Sequence, residues 1–132
     1  MITGINHITF AVSNLETSLH FYSNILGLKC VHQWEKGAYL LAGNQWIALN
    51  VDEKVVERKT PDYSHIAFHL PKEMFSVFQD RLRKHQIIKW HTNKSEGVSI
   101  YFLDPDGHKL EVHESDLENR MASILNTEAV KK

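Results

Sequence analysis

Apolar and polar residues alternate along 5–12, Ile-Asn-His-Ile-Thr-Phe-Ala-Val, so His7 and Thr9 face one way and Ile8 and Phe10 the other. That is the two-residue period of a strand. The period then lengthens. Leu15, Leu19, Tyr22 and Leu26 recur at helical spacing, Ser13 with Glu16 makes a capping-box pattern before them, and Gly27 stands where a left-handed cap would end the helix. Strand-like runs are expected at 28–34, 37–42 and 45–51. Residues 52–62 are rich in charge, carry Pro61 near their end, and read as a linker.

The same order then begins again. Tyr63-Ser64-His65-Ile66-Ala67-Phe68 repeats the shape of Ile5-Asn6-His7-Ile8-Thr9-Phe10, which sets His65 in the place of His7. A helix is expected after Pro71, with Phe75, Phe78 and Leu82 as its apolar stripe, and strands near 87–91, 99–103 and 109–113. The chain thus reads as an α+β protein in which βαβββ occurs twice. The first module spans 1–51 and the second 63–113. A terminal helix is expected over 114–127, with Ser115 and Glu118 as a second capping box and Leu117, Met121 and Ile124 at helical spacing. Each half is too small to bury a full core alone, so the halves must share one or borrow one from another chain.

Asp104-Pro105-Asp106-Gly107 reads as a tight turn, since proline presets one dihedral and glycine accepts the positive φ that follows. On the strand after it, Lys109, Glu111 and His113 share a face. A mid-strand carboxylate is either a solvated edge residue or a ligand. The repeat decides how to read it. His7 and His65 hold equivalent places, and the counterpart of Glu111 in the first half is Ala48, once Asn93-Lys94-Ser95-Glu96-Gly97 is taken as an inserted loop. Two imidazoles and a carboxylate make a three-ligand site that leaves positions open on manganese, iron or zinc, and an open site can polarise an oxygen of a substrate. Against this stands the plain alternative that each histidine is a packing or surface residue. His113 is a rival ligand, and His69 lies further out on the His65 face.

Composition narrows the classes. The 132 residues form one domain-sized chain, and 42% hydrophobic with 23% charged residues is ordinary for a soluble globular protein. A formal net charge of -1 gives no reason to expect nucleic acid or an anionic membrane surface as partner. One cysteine, Cys30, excludes an internal disulfide and suits a reducing cytoplasm; it reads as a buried apolar residue rather than a nucleophile. No signal peptide or membrane span is seen, so a cytoplasmic protein is expected.

The βαβββ repeat with His, His and Glu resembles the vicinal oxygen chelate superfamily, which includes glyoxalase I, extradiol dioxygenases and bleomycin-resistance proteins. More narrowly, Asn6-His7-Ile8-Thr9, Gly37-Ala38-Tyr39-Leu40, Asp62-Tyr63-Ser64-His65, Ser95-Glu96-Gly97 and Tyr101 to His108 resemble the FosA-type fosfomycin-resistance glutathione transferases, over a stretch reaching about Arg120. The resemblance implies a vicinal oxygen chelate fold in a domain-swapped homodimer, with Mn2+ on His7, His65 and Glu111. It implies fosfomycin and glutathione as substrates. Thr9 and Tyr39 match positions beside the reacting groups, and Trp46, Tyr63, Ser95, Tyr101 and Arg120 match pocket positions. The family binds K+ in the inserted loop, here Asn93, Ser95, Glu96, Gly97 and Ser99.

Some positions depart from the family. His91 stands where a phosphonate-binding lysine is usual. Trp34 matches the proposed glutathione surface, but Lys36, Asn50 and Lys94 replace the usual glutamine, serine and arginine. Relatives that use other thiols carry cysteine in the place of Thr9. Two competing readings are an epoxide hydrolase of the same fold and a metal-free drug-binding protein of the bleomycin-resistance kind. The first needs a carboxylate base before Trp46, where Glu35 is the nearest; the second has no use for the full ligand set.

Overall fold

The alternating N-terminal run forms strand β1, His7–Val12, with Phe10 and Val12 buried and His7 and Thr9 exposed. The computed structural model describes residues 1–57, 61–93 and 98–131. After β1 come helix α1 (Leu15–Leu19), a π-helical continuation (His20–Ile25), and strands β2 (Lys29–Trp34), β3 (Gly37–Ala42) and β4 (Gln45–Val51). A 3-10 turn over Glu53–Glu57 buries Val55 within the segment expected as a linker. Then follow β5 (Ile66–His69), a 3-10 turn (Lys72–Met74), α2 (Phe75–Lys84), β6 (Lys89–His91), β7 (Ser99–Leu103), β8 (Lys109–His113) and α3 (Leu117–Lys131).

The strands make two four-stranded sheets with the same permuted order, β1-β4-β3-β2 and β5-β8-β7-β6. In each, the first strand pairs parallel with the last. The registers also agree: Thr9 lies opposite Ala48, and Ala67 opposite Glu111. The α+β fold and the doubled βαβββ order are therefore as expected, and Ala48 is the counterpart of Glu111. Two compact units are distinguished, Met1–Ser64 with Leu103–His108, and His65–Phe102 with Lys109–Lys132.

In the first unit, Ala38, Leu40, Ile47 and Leu49 have essentially no exposure, and Phe21, Tyr22 and Ile25 of the helix are equally buried. Burying a side chain of this size contributes about 1.5–3 kcal/mol, so this layer dominates the unit's stability. The turn expected at Asp104 belongs here. Gly107 N–H closes it onto the Asp104 carbonyl at 3.0 Å, and Asp104 Oδ1 accepts from the amides of Asp106 and His108. Asp106 in turn accepts from the Ser13 amide and hydroxyl, and His108 Nε2 donates to the Ala11 carbonyl at 2.8 Å. In the second unit, Phe75, Phe78 and Leu82 of α2 are buried, and Phe78 meets Phe102 edge to face at 5.5 Å.

Several local expectations are corrected. Ser13 does not cap α1. Its hydroxyl is taken by Asp106, and Asn14 caps instead, accepting from the Thr17 amide at 2.9 Å. The first helix is not α throughout, because the Leu26 amide reaches back five residues to Phe21. Helix α3 starts one residue later than Ser115 would set it: Asp116 accepts from the Asn119 amide at 2.8 Å, and the helix runs on to Lys131. Strand β5 begins at Ile66 rather than Tyr63, since Asp62 accepts from the Ser64 amide and turns the chain there. Cys30 is half-buried rather than buried.

Candidate metal and substrate site

On the face of the first sheet opposite its helix, side chains come in rows. His7 lies beside Trp46 and stacks on it at 4.2 Å, and Tyr39 meets Trp46 edge-on at 5.1 Å. The next row is Thr9, Ala48 and Tyr39 on adjacent strands, with the small Ala48 between the two hydroxyl-bearing residues. Beyond it lie Trp34, Gly37 and Asn50, with Lys36 next along the chain. Gly37 has no room for a side chain, because a Cβ there would lie 2.4 Å from the Trp34 ring and 2.5 Å from the Leu49 carbonyl oxygen. The indole of Trp34 thus rests directly on the backbone. Asn6 Oδ1 lies 2.7 Å from His7 Nδ1 and accepts its proton, which leaves the lone pair of the ring on Nε2. Among the described residues, the Trp46 Nε1 is the one buried side-chain polar atom without a hydrogen-bond partner.

The second unit carries the carboxylate. Glu111 is 7% exposed, so its charge needs specific partners. His65 Nε2 lies 2.8 Å from Oε1, and the Ser99 hydroxyl donates to Oε2 at 2.6 Å. His113 Nδ1 is 2.5 Å from the same hydroxyl but 3.6 Å from the carboxylate. Around this pair stand aromatic rings. His65 meets Trp90 at 5.3 Å and Tyr101 at 5.8 Å, while His91 packs edge-on against Tyr101 at 4.8 Å. Trp90 is fixed by its own bond from Nε1 to the Leu110 carbonyl, 3.0 Å.

The structure thus gathers His65, Glu111, Ser99, Tyr101 and His91 in one unit, and His7, Thr9, Tyr39, Trp46, Trp34, Lys36 and Asn50 on one sheet face of the other. Tyr63 is exposed ahead of β5, and Arg120 is half-buried on α3. Asn93 is half-buried just after β6, whereas Lys94, Ser95, Glu96 and Gly97 lie outside the described residues. Among the described residues, no three His, Cys, Asp or Glu side chains are gathered to hold a metal ion. The donor set of His65 and Glu111 nevertheless suits a divalent cation. An imidazole nitrogen and a carboxylate oxygen meet there at 2.8 Å, and both are donor types that hold manganese, iron or zinc. Trp90, Asn6 and the hydroxyl of Ser99 as a partner of Glu111 were not expected. For Asn6 the signal was its place before His7; Trp90 offered only an aromatic beside His91.

Residues 4–112 match the Glyoxalase/Bleomycin resistance protein/Dioxygenase superfamily. The chain is 44% identical to glutathione transferase FosA of Serratia marcescens, over 93% of this chain and 89% of that one. It is 38% identical to metallothiol transferase FosB of Shouchella clausii, over 96% and 90%. Among solved structures it is similar to a variant of the fosfomycin resistance protein FosX of Listeria monocytogenes, complexed with Mn(II) and 1S,2S-dihydroxypropylphosphonic acid. That likeness has a TM-score of 0.81 at 30% identity and covers 92% of this chain and 97% of the other. No helix among the described residues is long and apolar enough to cross a membrane. The chain belongs to the Glyoxalase/Bleomycin resistance protein/Dioxygenase superfamily, and within it to the FosA-type fosfomycin-resistance thiol transferases.

Proposed function

We propose that this chain inactivates fosfomycin by adding glutathione to its epoxide ring, at a divalent metal, Mn2+, held by His7, His65 and Glu111. The observation that carries the reading is the His65–Glu111 pair, 2.8 Å apart, with the carboxylate buried and its second oxygen already engaged by Ser99. Bound there, a divalent cation supplies Lewis acidity to an oxygen ligand. In the reaction the glutathione sulfur forms a bond to an epoxide carbon, the carbon–oxygen bond breaks, and the oxygen ends as a hydroxyl carrying the proton the thiol gives up.

The chain's own residues orient the two substrates. Thr9 and Tyr39, separated by Ala48, line the strip along which the thiol meets the epoxide. Trp46 and Tyr63 wall the pocket, and the unsatisfied Nε1 of Trp46 is a donor in want of a substrate oxygen. His91, Ser95, Tyr101 and Arg120 receive the phosphonate, for which a guanidinium is the natural partner. Trp34, Lys36, Asn50 and Lys94 bind the thiol. K+ sits in the loop of Asn93, Ser95, Glu96, Gly97 and Ser99 and adds positive charge beside the phosphonate. The working form is a homodimer with exchanged halves, so that His7 of one chain joins His65 and Glu111 of another.

Two facts favour the transferase over the hydrolase. Neither β3 nor β4 carries a carboxylate that could activate water, and Glu35 lies exposed in the turn before β3. The test is to incubate the protein with Mn2+, K+ and fosfomycin, with and without glutathione, and to weigh the products. A glutathione adduct is expected; a diol, or unchanged drug, would overturn the proposal.

A further inference from the structure

The carboxylate of Glu111 has two oxygens, and they are treated differently. Oε1 is 2.8 Å from His65 Nε2, whereas Oε2 takes the Ser99 hydroxyl at 2.6 Å. A carboxylate only accepts hydrogen bonds, so the single hydroxyl proton of Ser99 is committed to Glu111. The same Oγ lies 2.5 Å from His113 Nδ1. With its proton spent, the oxygen can only accept there, so His113 must present Nδ1–H. All three side chains are withdrawn from solvent: Ser99 is 8% exposed, Glu111 7%, and the His113 side chain 15%. The 3.6 Å from His113 Nδ1 to Oε2 is too long for a direct bond of strength. His113 therefore reaches Glu111 through Ser99.

We propose that His113 and Ser99 are positioning residues for Glu111: the chain His113 Nδ1–H, Ser99 Oγ–H, Glu111 Oε2 immobilises one carboxylate oxygen and presents the other, singly, for ligation. The inference rests on Glu111 being a metal ligand, as proposed above. It gives His113 a role other than that of a rival ligand, and it gives the Ser99 side chain a role distinct from K+ binding. Register explains why these residues meet. Ser99 opens β7 and Glu111 centres its neighbour β8, with His113 two residues further along the same face. Partners behind a ligand commonly govern metal affinity by 10- to 100-fold, and the immobilised oxygen explains how they would do so here.

The test is Mn2+ titration followed by electron paramagnetic resonance, in Na+ buffer free of K+, on protein whose fold is verified by circular dichroism. Ser99→Ala and His113→Ala should each weaken Mn2+ by about 10- to 100-fold. Ser99→Thr keeps the hydroxyl, and His113→Asn places an amide N–H near Nδ1, so each should recover most of that loss. If Ser99→Ala does not fold, the two His113 variants carry the comparison. Electron spin-echo modulation should show the same imidazole nitrogens on Mn2+ in wild type and His113→Asn. Glu111→Gln serves as the control. If it loses Mn2+ while Ser99→Ala and His113→Ala bind as wild type, the positioning chain is overturned and the metal site stands. Loss of an imidazole nitrogen in His113→Asn would make His113 a ligand and also overturn it. If Glu111→Gln itself binds as wild type, the metal-site reading fails first.

Discussion

The phenolic hydroxyl of Tyr22 donates to Asp104 Oδ2 at 2.7 Å, joining the first helix to a turn 82 residues away. Burial, and then the charge of Asp104, push the Tyr22 hydroxyl well above the usual tyrosine range, so it remains a donor at any working pH. Replacing Tyr22 by Phe keeps the ring packing and strips a buried acceptor of its partner. The expected cost is about 1–3 kcal/mol, read as a lower urea midpoint at unchanged slope. Burial also raises Asp104 above its ordinary 3.8, against the opposing pull of Tyr22, His108 and two amides. The folded chain then holds this proton to a higher pH than the unfolded chain does. Stability from Asp104 is therefore full below 3.8 and is lost as pH rises through the raised value. Measured against Asp104→Asn, which cannot titrate, the wild type should lose ground over that window; a constant difference would contradict the assignment.

Glu111→Gln should retain the fold and abolish turnover, because it removes the charged ligand with almost no change in volume. The paired measurements are a thermal melt and Mn2+ affinity. Wild-type Mn2+ affinity together with activity would remove the proposed metal site.

His91 packs against Tyr101 and Trp90, where the family usually carries a lysine toward the phosphonate. A lysine is fully charged at pH 8, and an imidazole ordinarily is not. His91→Lys should therefore lower the apparent KM for fosfomycin at that pH. An unchanged or higher KM would show that His91 does not take the lysine's part.

Much of this fold was legible because it is local. Alternation marked β1, β7 and β8 to within a residue or two, and Gly27, with φ +82°, ended the first helix as its position implied. What escaped was set by distant partners. Ser13 looks like a cap until Asp106, 93 residues on, takes its hydroxyl. The start of β5 was misplaced because Asp62 turns the chain by a side-chain bond that apolar patterning does not register. In the site, the repeat matched His65 to His7 and Glu111 to Ala48, and the parallel pairing of β5 with β8 then sets His65 and Glu111 together. Trp90 could not be matched in this way, since its placement depends on a register shift between Lys89 and His91 that spacing does not reveal.

The inserted loop makes a prediction about salts. Exchanging K+ for Na+ should lower kcat/KM for fosfomycin at saturating Mn2+, and Asn93→Ala should shrink the difference between the two cations. A wild-type rate indifferent to the monovalent cation would contradict the K+ site.

The proposed site takes His7 from one chain and the His65–Glu111 pair from another. His7→Ala and His65→Ala proteins, each inactive alone, are unfolded and refolded together in equal amounts, and glutathione-adduct formation is measured. Each mixed dimer then carries one site with both defects and one with none. Random pairing makes about half of the dimers mixed, so about a quarter of wild-type activity should return. No recovery, with mixed dimers confirmed by native mass spectrometry, would contradict a site shared between chains.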